Sequence, residues 1–449
     1  MAGTQATQSA GAVVLVSLVL LSTQVAVSRG FQPFQNPPWS PSNYNMSLSS
    51  ISMFCNSSGW LSPLRSPAAF GIASTDWSND KKDWALARPM DCEERLVTQA
   101  TMIKQANPAA WPFAYRNLVK ALPWFSTVRE KLEDPQYSGW FLHFSGKGNY
   151  HVPDCDANYD PPLCSTLYHD QEQSPAVPTP SNPNPDGRCS VTCDCGGVPC
   201  GEYLFDWRND TLLPWVLENV LGGPNGLGND NIKGFFIDDF WCANLINGTG
   251  ACNDPVQGPT EIDRNSQADM GLSDRDIADI TNAWLAAMTV AQQYILDHGG
   301  YTWSLIPGQD NANASPLVVN KGNCVSHLTE ACSAANRWQS APLMHGINMG
   351  TGNGTLPSLD ADIAAFLLMR GPWAFTGAGY WGMSWPVGQT WNSTNVPVPR
   401  PIQMDADYGK PLDARCEQVS SGVFSRRYSN TVVTLDCKTY QAKFVPPVF

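Results

Sequence analysis

Positive charge is scarce in this chain. Lys and Arg number 27 against 40 Asp and Glu, for a formal net charge of -13 and a pI near 4.8. No Lys/Arg cluster is present to neutralise phosphates, which excludes a nucleic-acid partner and argues against binding to anionic membranes. Long apolar runs are missing after residue 21, so no later segment is built to span a bilayer. A serine nucleophile elbow, a phosphate loop, a dinucleotide-binding glycine fingerprint, a His-Glu-x-x-His zinc motif and an internal repeat are all absent. These absences remove several enzyme classes, and no cofactor or metal is expected. What is abundant is Trp (17), Pro (36) and Gly (36), with charged residues only 15% of the chain. That composition describes a loop-rich globular protein whose aromatic faces suit sugar rings or fill cores.

The amino terminus points to a compartment. Residues 12–21 form an apolar segment of signal-peptide length, and Ala26-Val27-Ser28 supplies the small residues of a cleavage site, so 1–28 is expected to be a signal peptide. Its flank lacks Lys and Arg, which keeps an uncleaved signal anchor as the alternative. All 14 cysteines follow residue 28, and an even count fits a disulfide set in an oxidising compartment. Seven Asn-x-Ser/Thr sequons, at Asn45, Asn56, Asn209, Asn247, Asn313, Asn353 and Asn392, fit a secreted glycoprotein.

At 449 residues the chain suits one barrel-sized domain plus an appendage. Residues 29–68, rich in Pro, Ser and Asn, read as an extended arm. Strands are expected over 70–73 and 111–115, a helix over 92–105, and a third strand or hairpin arm over 140–144. Regular structure disappears over 145–201, where six cysteines suggest a disulfide-stapled cap. A strand over 202–209, a helix over 212–220, a strand at 234, a long helix over 276–297 capped by Ser273, and a strand over 301–306 follow. This alternation produces parallel sheets, here a (β/α)8 TIM-like barrel over 69–400. Short alternating runs after residue 401 suggest a small antiparallel β unit.

The run Gly234-Phe235-Phe236-Ile237-Asp238-Asp239-Phe240-Trp241 is a buried strand ending in two carboxylates. In a parallel barrel the carboxyl ends of all strands face one mouth. That geometry gathers Asp76, Arg116, Asp206, Arg208, Asp238 and Asp239 there, with Glu261 or Glu330 as further carboxylates. Glycosidic cleavage needs two carboxyl groups, about 5–5.5 Å apart for retention or about 6.5–9.5 Å for inversion. Strand alternation aims Asp238 and Asp239 at opposite faces. Asp238 shares parity with Phe236 and is favoured for the cleft, although Asp239 shares parity with Ile237. Asp206 with Arg208 reads either as a substrate-orienting pair or as a salt bridge at the mouth. Glu330 lies between Cys324 and Cys332, whose pairing would rigidify it. His169 heads the polar cluster of the cap, Trp241, Trp381 and Trp385 are candidate sugar platforms, and Trp77 is a further candidate for substrate binding. Cys193, Cys195 and Cys200 with His169 suggest zinc weakly, since an oxidising compartment favours disulfides.

The 234–241 run resembles the strand-four signature of glycoside-hydrolase-like (β/α)8 barrel proteins, in which an Asp follows a Gly and three apolar residues. Residues 362–371, 407–411 and 422–428 resemble the late helix and C-terminal β unit of the same proteins. The resemblance covers about the last half of the chain. It implicates Asp238 and leaves its acid partner unassigned, and the Cys-rich cap departs from the pattern. The expectation is a secreted glycoside hydrolase acting on an extracellular or wall polysaccharide. Asp238 would be nucleophile or base, Asp206 or Glu330 its partner, and Arg208 and Trp241 would orient the sugar. The rivals are a glycan-binding barrel without activity and an extracellular structural protein. The sequence does not decide an oligomeric state.

Overall fold

Short apolar stretches bounded by Gly, Pro or polar residues supply the strands, and the longer amphipathic stretches between them supply the helices. The computed structural model describes residues 44–54, 68–87, 89–144, 167–170, 202–239, 241, 267, 270–304, 317–339, 343–348, 356–378 and 401–446. Glu261, Trp381, Trp385, residues 1–28 and nearly all of the expected cap lie outside that set.

In chain order the strands are β1 (Ile51–Phe54), β2 (Ile72–Thr75), β3 (Trp111–Asn117), β4 (Lys120–Ala121), β5 (His169–Asp170), β6 (Glu202–Leu204), β7 (Gly234–Asp238), β8 (Tyr301–Ser304), β9 (Leu317–Val318), β10 (Leu343–Ile347), β11 (Ala374–Ala378), β12 (Glu417–Ser420), β13 (Val423–Arg427), β14 (Val432–Asp436) and β15 (Gln441–Val445). The main helices are α1 (Cys92–Ala106), α2 (Ser126–Leu132), α3 (Asp274–Asp297), α4 (Cys324–Ala331) and α5 (Leu359–Met369).

The fold is mixed α/β. One parallel sheet runs β1-β2-β3-β7-β8 and a second runs β9-β10-β11. A parallel bridge from Ser50 to Thr376 connects them, so eight strands follow one another in sequence order. Among the described residues no ladder joins β8 to β9. Aromatic side chains of the inner face nonetheless meet from strands of both sheets. Tyr115 approaches Phe236 (ring centroids 6.0 Å apart), Phe113 approaches Tyr301 (6.3 Å), and Tyr301 on β8 approaches Phe375 on β11 (6.1 Å). Gly234 opens β7 because a Cβ there would lie 2.1 Å from the Tyr301 carbonyl oxygen and 2.6 Å from the Phe113 ring.

The C-terminal unit is the antiparallel sheet β12-β13-β14-β15. Between it and the second parallel sheet lies α5, whose residues 361–369 are all buried. A helix apolar on every side needs cover on every side, and each of Phe366, Leu367 and Leu368 contributes about 1.5–3 kcal/mol by burial. Arg426 docks the unit, donating to the carbonyls of Leu367 and Arg370 at 3.2 and 2.6 Å. Disulfides Cys324–Cys437 and Cys332–Cys416 tie α4 to the same unit.

Several expectations need correction. The arm over 29–68 contains β1, a buried parallel strand paired with β2, which its Ser- and Pro-rich surroundings concealed. The strand expected over 202–209 is shorter and belongs to a separate antiparallel sheet, β4-β6-β5. Residues 140–144 form neither a barrel strand nor a hairpin: Trp140 ends a 3-10 turn, and Phe141 and His143 make isolated antiparallel bridges to Phe205 and Leu167. Cys324 and Cys332 do not pair with each other. They sit on one helix, where eight residues rise about 12 Å, far beyond disulfide reach. Cys92 is buried and free, so the 14 cysteines do not form a complete disulfide set within one chain. The Ser273 cap is present as a capping box with Asp276.

Candidate active site

The register of β3 against β7 builds the site. Tyr115 lies opposite Phe236 and Asn117 opposite Asp238, so these four share the inner face, while Arg116 and Ile237 face the helices. Ser74 on β2 lies opposite Phe113 and shares its face, and Asp76 follows two residues later at the carboxyl end of β2.

Regular alternation would send Asp239 outward, as the sequence suggested. The strand ends at Asp238 instead, and Asp239 takes a left-handed conformation with φ 60°. An Asp tolerates that region better than most residues, though at some cost in strain. The turn brings its carboxylate back to Asn117, whose Nδ2 donates to Asp239 Oδ2 at 2.7 Å and to the Tyr115 hydroxyl at 3.1 Å. The Tyr115 hydroxyl donates to Asp238 Oδ2 at 2.9 Å. Both carboxylates therefore belong to one hydrogen-bonded chain, and the expectation that they face opposite sides does not hold.

Cations complete it. Lys120 Nζ lies 3.3 Å from Asp239 Oδ2 and 2.7 Å from Glu202 Oε2. Asn117 Oδ1 fixes the Lys120 loop by accepting from the backbone N–H groups of Val119 and Lys120 at 2.9 and 2.7 Å. Lys120 and Glu202 come from β4 and β6, so the small antiparallel sheet contributes an ion pair to the mouth. Lys81 stands over the Trp77 ring at 5.2 Å. Its pKa is lowered by burial, against the pull of Glu202 and Asp76.

Burial pushes the Asp238 carboxyl well above the usual carboxylate range, and the nearby charges of Asp239 and Asp76 add to the shift. The hydrogen bonds from Tyr115 and from the Asp239 N–H oppose it. Asp76 is raised to about 6, again by burial, although Ser78 donates to it from hydroxyl and backbone N–H. Burial and the same carboxylates push the Tyr115 phenol up, so it acts as a donor. Two buried polar groups nearby, Ser74 Oγ and Trp241 Nε1, have no hydrogen-bond partner among the described residues. Such groups are expensive unless a ligand or water satisfies them.

Of the residues singled out from the sequence, Asp76, Asp238 and Asp239 come together. Trp77 adjoins them in a cluster with Trp84 and Trp124, at centroid distances of 6.2 and 5.3 Å. Trp241 is buried directly after the carboxylates. Arg116 is not at the mouth: it is buried under the sheet, 3.2 Å from Glu93 of α1 and bonded to the Asn225 carbonyl. Asp206 and Arg208 form the salt bridge of the two readings, with Arg208 also reaching Asp276 at 3.1 Å, and none of their described contacts is with the carboxylate chain. Glu330 is exposed on α4. The His169 backbone pairs with Tyr203 at the edge of the small sheet. Sequence reading passed over Tyr115, Asn117, Lys120, Glu202 and Lys81. Only the inner-face parity of Tyr115 and Asn117 was available to find them. Among the described residues no cluster of His, Cys, Asp and Glu could hold a metal ion.

No family model and no curated protein matches this chain. Solved structures with some likeness include a trehalulose synthase variant in complex with the substrate sucrose, 9% identical with a TM-score of 0.36 over 75% of this chain and 66% of that one. Another is the trehalose-6-phosphate hydrolase of Bacillus licheniformis, 9% identical with a TM-score of 0.32 over 76% and 65%. This chain spans about two thirds of the length of these structures. Likenesses at that level define no family.

Proposed function

We propose that the protein is a secreted glycoside hydrolase on a closed (β/α)8 barrel, acting on an extracellular or wall polysaccharide. The observation that carries the reading is the pairing of two carboxyl groups with opposite surroundings on one hydrogen-bonded chain. Burial raises the Asp238 pKa and favours its protonated form, and Asp239 faces the Lys120 ammonium. This division suits general acid and base or nucleophile respectively. Sequence alone favoured Asp238 as nucleophile or base; burial beside Asp239 and Asp76 supports the acid role instead. Asp238 gives its proton to the glycosidic oxygen as the C–O bond breaks. Asp239 attacks the anomeric carbon or activates water.

Barrel closure is supported by the sequence-ordered strands and by the Tyr301–Phe375 contact between strands of the two parallel sheets. Secretion is supported by the two disulfides and the apolar amino-terminal segment. Trp77, partly exposed beside Asp76, supplies aromatic surface near the acids.

The test incubates wild type, Asp238→Asn and Asp239→Asn with a polysaccharide panel and measures reducing ends. Wild type should release sugar, and each variant should lose about 100- to 10,000-fold. Wild-type protein that binds a glycan yet releases nothing would overturn the hydrolase reading in favour of glycan binding alone.

A further inference from the structure

A cavity of about 810 Å³ opens between the α4 and α5 ends and the C-terminal sheet, within the roughly 300–1,000 Å³ of small-molecule sites. It lies on the carboxyl-end side of β9 and β10, since Asn320 and Asn348 on its wall follow those strands. None of its lining residues belongs to the carboxylate chain described above.

We propose that this cavity binds a neutral oligosaccharide, as a site separate from the one that holds Asp238. Its walls are rich in amides and hydroxyls, among them Asn348, Gln403, Thr439 and Gln441. Amide side chains both donate and accept, which matches sugar hydroxyls that do the same. Among the described residues Lys321 and Asp360 are its only charged lining side chains and offset one another, so these walls offer no net charge to an ionic ligand. Gln403 Nε2 donates to Asp360 Oδ1 at 2.9 Å, which orients both side chains at the rim.

The cavity also has a fixed aromatic wall. Tyr440, with φ 56°, leaves its ring half-exposed on the lining. Its hydroxyl sits 2.8 Å from the Val319 carbonyl oxygen and 2.7 Å from Asp362 Oδ1. These two acceptors hold the hydroxyl between them and so fix the ring. An aromatic ring anchored in this way costs little entropy when a sugar stacks on it.

The test measures binding by calorimetry to the full-length Asp238→Asn protein, so that hydrolysis does not consume the probe and the outcome is independent of the proposed active site. Cellotetraose, maltotetraose, laminaritetraose and xylotetraose are the neutral probes, and tetragalacturonate is the charged one. At least one neutral tetrasaccharide should bind. Gln441→Trp, which fills the cavity from an exposed strand position, should weaken binding at least tenfold, and Gln403→Ala should weaken it severalfold. Both changes, made in the wild-type chain, should leave hydrolysis of a short soluble substrate unaltered and thermal unfolding near wild type. Binding of the charged probe alone, no binding of any probe, or neutral binding indifferent to Gln441→Trp in a folded protein would each overturn the proposal. None of these outcomes bears on whether Asp238 and Asp239 cleave glycosidic bonds.

Discussion

Asn117 Nδ2 lies 2.7 Å from Asp239 Oδ2 across the β3–β7 pair, and that bond is made by a residue whose backbone has left the strand at φ 60°. The last inner-face side chain of β3 thereby holds a carboxylate that strand geometry alone would have pointed at the helices. Asn117→Ala should release it. Activity is expected to fall about 100-fold, the scale for small misplacement of a reacting group. The midpoint of thermal unfolding should fall as well, because Asn117 Oδ1 also holds two backbone N–H groups of the Lys120 loop. Asn117→Asp keeps those acceptor bonds but puts a third carboxyl beside Asp239, and it should not rescue the rate.

Tyr115→Phe removes one donor to Asp238 and one acceptor of Asn117 Nδ2. The bond to Asp238 favours the charged form, so its loss raises the Asp238 pKa further. With Asp238 acting as the acid, the alkaline limb of the rate profile should move to higher pH. A shift to lower pH, or an unmoved profile with an intact fold, would mean that Asp238 does not set that limb.

Asp362 is buried on α5 and raised to about 7 by desolvation, against bonds from Tyr440 and the Asn348 N–H, whereas its ordinary value is 3.8. Between those pH values the native state keeps a proton that the unfolded chain has lost. Stability from this group is therefore full at acid pH and declines as pH rises toward 7, by up to about 1.4 kcal/mol per pH unit. Denaturant titrations at several pH values should show Asp362→Asn with a flatter slope than wild type over that window. Asp76, raised to about 6, contributes in the same direction and remains in both proteins.

Of the 14 cysteines, four are paired and Cys92 is free, which leaves an odd number, nine, for the rest of the chain. A monomer must then carry at least two thiols. Burial pushes the Cys92 thiol up and makes it unreactive in the native state. Thiol titration should detect Cys92 only after denaturation, with an even total. An odd total would indicate a disulfide between two chains.

Much of the architecture was legible because it rests on local pattern. The apolar stretch at Gly234, the periodicity of α3 with its Ser273 cap, and the alternation in β13 and β14 all declare themselves within a few residues. β1 was hidden because Ile51–Phe54 is four residues long and carries a Ser among Pro-rich neighbours, and its place is set by pairing with β2 and packing beside β11. The site was legible in Asp76, Asp238 and Asp239, whose place at strand ends follows from parallel topology. Lys120 and Glu202 were not, because they arrive from strands two and three residues long that pair only through the tertiary fold.

The sequence by itself determined the acidic charge, the Cys content, the alternation of strand and helix and the place of the paired carboxylates at the end of β7, all properties carried by residue identity and near-neighbour spacing. Tertiary structure alone decided that both carboxylates share one hydrogen-bonded chain. It also decided that Arg116 serves the helix layer and that α4 is stapled to the C-terminal sheet. Those outcomes depend on a backbone turning left-handed at Asp239, on the facing of β3 against β7, and on groups brought together from distant parts of the chain, where free energy is set by contact in space.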